Sequence, residues 1–479
     1  MYTRKQFIKT GIIAGTSLYF SNFGFSNESN IDFISRRPSP GDRKFTSSAV
    51  EEVIDQMKAS IKDKQLAWLF ENCFPNTLDT TVDFEYIDGK PDTYVITGDI
   101  DAMWLRDSTA QVWPYVPLIE KDNKLKELIK GVIQRQVKCI ILDPYANAFY
   151  KDLKKESYWK NDLTVMKPGI HERKWEIDSL CYPVRLAYGY WKQTGDESIF
   201  TTEWKQAMEL IIRTFKEQQR YNDQGPYTFQ RTTSWATDGV PLGGYGYPVR
   251  PNGLICSIFR PSDDCTIYPY LIPSNYFAVE ILGYLSEIFS LPSVNEVKMA
   301  NESHELKLVV KKALNRYAVL DHPDFGMIIP YEINGYGSFN FMDDANVPSL
   351  LSLPYLNCMN SDDLLYLNTR KYVLSENNPF YFKGTAAEGI GSPHTSTGNI
   401  WPISIIMRGL TSNDKTEVRQ CISTLLKTHD RTGFMHESFN QDDPAKFTRK
   451  WFAWANTLFG EFIIKVNSYH PELLEMKFD

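Results

Sequence analysis

EIDSLCYPVRLAYGYWKQTGD, residues 176–196, is the stretch on which the reading of the fold turns. Its apolar side chains fall at Ile177, Leu180, Cys181, Val184, Tyr188 and Trp191, the spacing of one helix face. Thr194-Gly195-Asp196 then stops the run, with glycine where a left-handed residue ends a helix. The same periodicity predicts helices over 47–70, 107–119, 122–141, 203–221, 274–291, 302–319, 361–374, 399–409, 413–428 and 447–467, with Asp107 and Ser274 as N-caps. Strand-like stretches are short and few: 93–97, 227–231 and 327–331. No repeat of TPR, HEAT or WD type recurs.

Working outward, about a dozen helices over roughly 430 residues predict an all-α fold, an (α/α)6 barrel of six inner helices ringed by six outer ones. A multi-domain helical array is the alternative. The barrel is favoured because Trp, His and charged motifs cluster at helix starts and in the loops between helices, where a toroid opens its funnel. The Gly/Pro-rich stretch 238–252 reads as a loop beside that funnel. The organisation expected is an export signal and polar spacer over 1–31, a polar linker over 32–46, and one catalytic domain over 47–479.

Composition narrows the function. The chain carries 11 Trp, 27 Tyr and 28 Phe, rings that stack well on the C–H faces of pyranoses or fill a large helical core. The net charge of −7, without a basic stripe, argues against a nucleic-acid partner. Seven cysteines lie scattered at 73, 139, 181, 256, 265, 358 and 421, none in a CxxC pair, so no zinc or iron–sulfur site is expected, nor any specific disulfide. Arg4, Lys5 and Lys9 precede the apolar stretch 11–20, and Ser-, Asn- and Gly-rich sequence follows. This predicts a cleaved signal and a periplasmic or secreted protein. TRKQFIK resembles a twin-arginine signal with Lys5 at the second arginine's place.

Four segments gather chemistry: TGDIDAMWLRDSTAQVWPYV at 97–116, FRPSDDC at 259–265, GIGSPHTSTGNIWPI at 389–403 and GFMHESFNQDDP at 433–444. Glycoside hydrolysis needs one carboxylic acid to protonate the leaving oxygen and a second carboxylate to attack or to activate water. Adjacent Asp263 and Asp264 suit the first role, because like charge raises the pKa of the more buried partner. Glu437 suits the second, with His436 beside it to bond sugar hydroxyls.

These segments, with LDPYANAF (142–149), RKWEIDSLCYP (173–183), RPSDDCTIYPYLIPSN (260–275) and FMDDANVPSLLSLPY (341–355), resemble glycoside hydrolase family 125, in the same order and over nearly the whole chain after the signal. The resemblance implies an (α/α)6 barrel and an exo-acting α-1,6-mannosidase that inverts configuration and requires no metal or other cofactor. It implies Asp263 as general acid and Glu437 as general base. Asp99, Trp104, Arg106, Asp107, Arg260, Asp264, His394 and His436 are assigned to the sugar site from motif membership and residue type. Asp101 stands where the family has Pro, and the 238–252 loop and SPHTSTGN differ from its pattern, so departures concentrate where the leaving group would lie. Two other classes are the alternatives. A sugar isomerase or epimerase would use histidines, of which the chain has only 7. A non-catalytic exported mannoside-binding protein would need no pair of Asp263 and Glu437.

Overall fold

The computed structural model describes residues 33–478; the expected export signal, residues 1–31, lies outside them. The chain forms the (α/α)6 barrel, its helices alternating between an outer and an inner layer. Outer α1 (Ser48–Ser60) and α2 (Lys64–Cys73) are followed by the short α3 (Asn76–Thr80) and a hairpin of β1 (Val82–Ile87) and β2 (Lys90–Val95) that leads to inner α4 (Leu105–Val112). Then come outer α5 (Asn123–Leu142), inner α6 (Ile177–Thr194), outer α7 (Thr202–Glu217), inner α8 (Ile272–Phe289) and outer α9 (Val297–Tyr317). Outer α10 (Leu364–Val373), inner α11 (Pro402–Leu410), outer α12 (Lys415–Thr428) and inner α13 (Ala453–Tyr469) complete the order.

The layers follow from patterning. Outer α7 buries only one stripe, Trp204, Ala207, Met208, Ile211, Ile212 and Phe215 among its members. Inner α11 buries every residue from Pro402 to Leu410 except Arg408. Inner helices pack in sequence, α4 on α6, α6 on α8 and α11 on α13, and α13 returns to α4 to close the ring. Between α9 and α10 the inner element is not a helix. Residues 347–356 carry Pro348 and Pro354, which lack the N–H a helical ladder needs. Asp343 instead takes the Leu350 and Leu351 N–H groups at 2.8 and 3.0 Å. Tyr182 Oη donates to the Val347 carbonyl, and Tyr355 Oη to Glu461 of α13, which ties the segment to its helical neighbours.

The ends of the chain are stapled together. Asn456 Nδ2 donates to Asn76 Oδ1 at 3.0 Å, and the Phe478 N–H to Asp63 Oδ2 at 3.0 Å. Where α13 meets the start of the ring, Gly460 lies against Phe74. A Cβ there would sit 2.5 Å from the Phe74 ring and 2.9 Å from its Cα. Gly460→Ala is therefore expected to destabilise by about 1–3 kcal/mol through overpacking, read from urea or thermal unfolding. An unchanged midpoint would mean that α13 can shift without cost.

Several boundaries differ from those expected, for local reasons. Asp107 is not an N-cap. Trp104 holds that position because Met103–Trp104 pairs antiparallel with Ala148–Phe149, and the Leu105 N–H bonds the Asn147 carbonyl. Ser274 likewise lies inside α8, whose start is set by Tyr270–Leu271 pairing with Glu332–Ile333 and by Pro273 in the first turn. The helix expected over 47–70 breaks at Asp63, whose carboxylate caps α2 through the Leu66 N–H. The helix expected from 447 starts only at Ala453, since Phe447 is bridged to Phe439. Of the linker range 32–46, Arg37 is held against the body by Asp79 at 2.7 Å and Glu51. All seven cysteines are free thiols. Among the described residues no helix is long and apolar enough to cross a membrane.

Candidate active site

Asp263 stands on a tight turn between Phe259 and Cys265, which are joined by an isolated antiparallel bridge. The Arg260 N–H bonds the Asp264 carbonyl and the Asp263 N–H bonds the Arg260 carbonyl. This closure forces Asp263 to φ +64°, a left-handed conformation that Asp tolerates better than most residues but that still costs energy. The turn is anchored from beneath, where Arg260 Nε donates to Glu332 Oε1 at 2.7 Å and the same carboxylate takes the Ile267 and Tyr268 N–H groups. Arg260 thus holds the turn in place.

The twist of the turn sends the two adjacent carboxyls to different partners. Asp263 Oδ1 accepts from Arg106 Nη2 at 3.3 Å and Asn147 Nδ2 at 3.1 Å. Asp264 Oδ2 faces His394 Nδ1 at 3.5 Å. The expectation that like charge would raise the pKa of the more buried partner is therefore corrected. Burial pushes Asp263 up, but Arg106, Lys174 and a hydrogen bond from Glu176 outweigh it and hold the carboxyl below its ordinary value. For Asp264, burial is outweighed by His394 and the Thr237 hydroxyl, and it too lies low.

Arg106 is the hub. On the first turn of α4 and only 3% exposed, it meets Glu176 at 2.7 Å, Asp178 at 3.2 Å, Asp263 at 3.3 Å and Asp107 at 3.4 Å. Four carboxyls against one guanidinium leave an excess of buried negative charge. Asp107 and Asp178 are each pushed up to about 6 by burial against the pull of Arg106, and Glu176 is raised well above its ordinary value. The Asp263 charge raises Asp107 and the Arg449 charge lowers it.

Arg449 carries the line to the second candidate carboxylate. Glu437 accepts from Thr448 Oγ1 at 2.9 Å and from Arg449 Nη1 at 3.4 Å. Arg449 Nη2 also donates to the Thr97 carbonyl at 2.8 Å and to Asp99. Asp99 is thus at the half-open rim, a clamp on Arg449. His436 lies behind Glu437. It is fully buried and stacked on Phe447 at 4.0 Å, and its Nδ1 donates to the Lys450 carbonyl at 2.9 Å, so it holds the loop that bears Arg449. His394 meets the indole of Trp401 edge-on at 6.2 Å. Trp104 packs edge-on against His171 at 5.2 Å.

The four segments singled out from the sequence do converge: Arg106 meets Asp263 and His394 faces Asp264 directly, while Glu437 is joined to Asp99 through Arg449. Glu176, Asp178, Asn147, Lys174, Thr448 and Arg449 were missed. Lys174 Nζ, which donates to the Asp263 carbonyl and to Asp238, both at 2.8 Å, is buried in an ion network with Arg231 and Glu172. Among the described residues, the buried Trp104 Nε1, Arg260 Nη2 and Arg449 Nε find no hydrogen-bond partner. Buried donors of this kind require an acceptor, and sugar hydroxyls both accept and donate.

Paired carboxylates on loops of a helical toroid, among buried cations and indoles, are the equipment of a glycoside hydrolase. The chain belongs to glycoside hydrolase family 125, whose model, described as metal-independent alpha-mannosidase, matches residues 63–464. It is 42% identical over 460 residues to the Meiotically up-regulated gene 157 protein of Schizosaccharomyces pombe, covering 92% of this chain and 90% of that one. A Streptococcus pneumoniae metal-independent alpha mannosidase, solved as a non-productive complex with alpha-1,6-mannobiose, is 39% identical with a TM-score of 0.85, covering 90% of this chain and all of that one. A bacterial glucoamylase complexed with acarbose, 12% identical at a TM-score of 0.51 over 90% of this chain and 58% of its own, shares the fold alone.

Proposed function

We propose that this α-mannosidase removes terminal α-1,6-linked mannose from glycans, exo-acting and with inversion, Asp263 serving as general acid and Glu437 as general base. The observation that supports the reading is that Asp263 pairs with Arg106, which also meets Asp107, while Arg449 pairs with Glu437 and acts electrostatically on Asp107. In the mechanism, Asp263 gives its proton to the glycosidic oxygen as the bond to the anomeric carbon breaks. Glu437 takes a proton from a water attacking the opposite face. The α-1,6-mannobiose bound by the pneumococcal relative supports the linkage. The basic stretch followed by an apolar one at the N-terminus supports export to the periplasm or beyond.

The test is proton NMR of the protein acting on α-1,6-mannobiose, read before mutarotation. β-Mannose is expected first. Early α-mannose would overturn inversion, and a protein that binds the disaccharide without cleaving it would replace hydrolysis by capture.

A further inference from the structure

Glu176 has no part in the mechanism above, yet it is the carboxyl closest in partnership to Asp263. It sits at the N-terminal boundary of α6, fully buried, and shares its donors with Asp263. The Arg106 guanidinium reaches Glu176 Oε2 with Nη1 at 2.7 Å and Asp263 Oδ1 with Nη2 at 3.3 Å. The Asn147 amide nitrogen lies 3.3 Å from Glu176 Oε1 and 3.1 Å from Asp263 Oδ1. Ser179 Oγ adds a third donor to Glu176 Oε2 at 2.7 Å. Two carboxyls bridged by one guanidinium and one amide, one fully buried and the other half-buried, cannot both be ionised at little cost. The surrounding charges do not relieve both at once. Asp178 and Asp107 compete for Arg106, while Lys174 is divided among Glu172, Asp238 and the Asp263 carbonyl, and His394 faces Asp264.

We propose that Glu176 and Asp263 hold one proton between them, making Glu176 the positioning residue that keeps the general acid supplied with its proton. This rests on the assignment of Asp263 as the acid. Before the sugar binds, the proton resides on Glu176, whose carboxyl burial and the neighbouring acids raise, while the cations keep Asp263 low. During reaction the Glu176 O–H bond breaks and an Asp263 O–H bond forms. That proton then passes to the leaving oxygen as the glycosidic bond breaks. Glu176 is left ionised, stabilised by Arg106, Ser179 and Asn147, and the proton that Glu437 took from water returns through solvent to the pair. Protons balance over the cycle, and only water is consumed.

The experiment compares wild type, Glu176→Gln, Glu176→Asp and Asp263→Asn on α-1,6-mannobiose and on 2,4-dinitrophenyl α-mannoside, whose leaving group needs no protonation. Glu176→Gln is expected to lose about 100-fold in kcat on mannobiose and less than about 5-fold on the aryl mannoside. Its basic limb of kcat/KM is expected to move to lower pH, because Arg106 and Lys174 then act on an Asp263 with no carboxyl to share a proton. Glu176→Asp, which keeps a carboxyl, is expected to recover most of the mannobiose activity and to return the limb towards its wild-type position. Equal losses on both substrates with an unmoved limb would make Glu176 structural and overturn the proposal. So would a Glu176→Asp enzyme with the behaviour expected of the Gln variant, a comparison that also serves if the Gln variant fails to fold. Near-normal cleavage of mannobiose by Asp263→Asn would instead sink the acid assignment on which the proposal stands.

Discussion

Glu437→Gln is expected to lower kcat on an α-mannoside by about 1000-fold while the protein stays folded, the upper-middle of what general-base catalysis contributes. The amide matches the carboxylate in shape, and its oxygen can still accept from Thr448 Oγ1, so the loop keeps one of its two ties. What is lost is the capacity to take a proton from water. Arg449 keeps the Thr97 carbonyl and Asp99 as partners, so its side chain stays in place. KM is accordingly expected to change far less than kcat. Turnover within a few-fold of wild type, measured beside an unchanged melting curve, would remove Glu437 from the chemistry.

Arg106→Met is expected to give the largest loss of stability, about 3–5 kcal/mol at pH 7, because it strips the countercharge from carboxyls that stay buried. Glu176 and Asp178 are fully buried, and both also lose a direct hydrogen bond from the guanidinium. The pH dependence has a definite sign. Without Arg106, Glu176, Asp178 and Asp107, already raised by burial, rise further above their unfolded values. A group whose folded pKa exceeds its unfolded one costs nothing while protonated and costs progressively more as pH rises past its unfolded value. The deficit against wild type should therefore be greatest at neutral pH and shrink as pH falls towards about 4. Denaturant unfolding at pH 5 and pH 7 checks this, and a deficit equal at both would show that packing, not charge, sets the loss.

How much of this was legible in the sequence varies with the kind of signal. The helices were, because apolar periodicity survives any tertiary context that buries one face. The segments 259–265 and 433–444 stood out, because carboxylates set beside Arg or His break that periodicity, but the choice of Asp263 over Asp264 came only from the family resemblance. Glu176 was not: beside Trp175 and Ile177 it reads as an ordinary helix-start acid, and nothing local says that Arg106 lies across from it. Arg449 was hidden in FTRKW, which has helical character but is pinned as an extended loop by the Phe439–Phe447 bridge and by His436 beneath it. The behaviour of Asp263 and Asp264 was misread for a geometric reason. Adjacency in sequence implies proximity of carboxyls only when the backbone directs them alike, and a left-handed Asp263 turns them apart.

The bond from Arg449 to Asp99 spans 350 residues of chain. During translation the loop bearing Asp99, Arg106 and Asp107 emerges early and must wait for almost everything else before its last partner exists. A chain terminated before residue 437 can hold the Asp263 turn yet lacks Glu437, the proposed base. Cleavage of a glycan would thus report on a chain that has been made past Arg449: loss of the segment bearing Glu437 and Arg449 would yield silent protein instead of a weaker or promiscuous hydrolase.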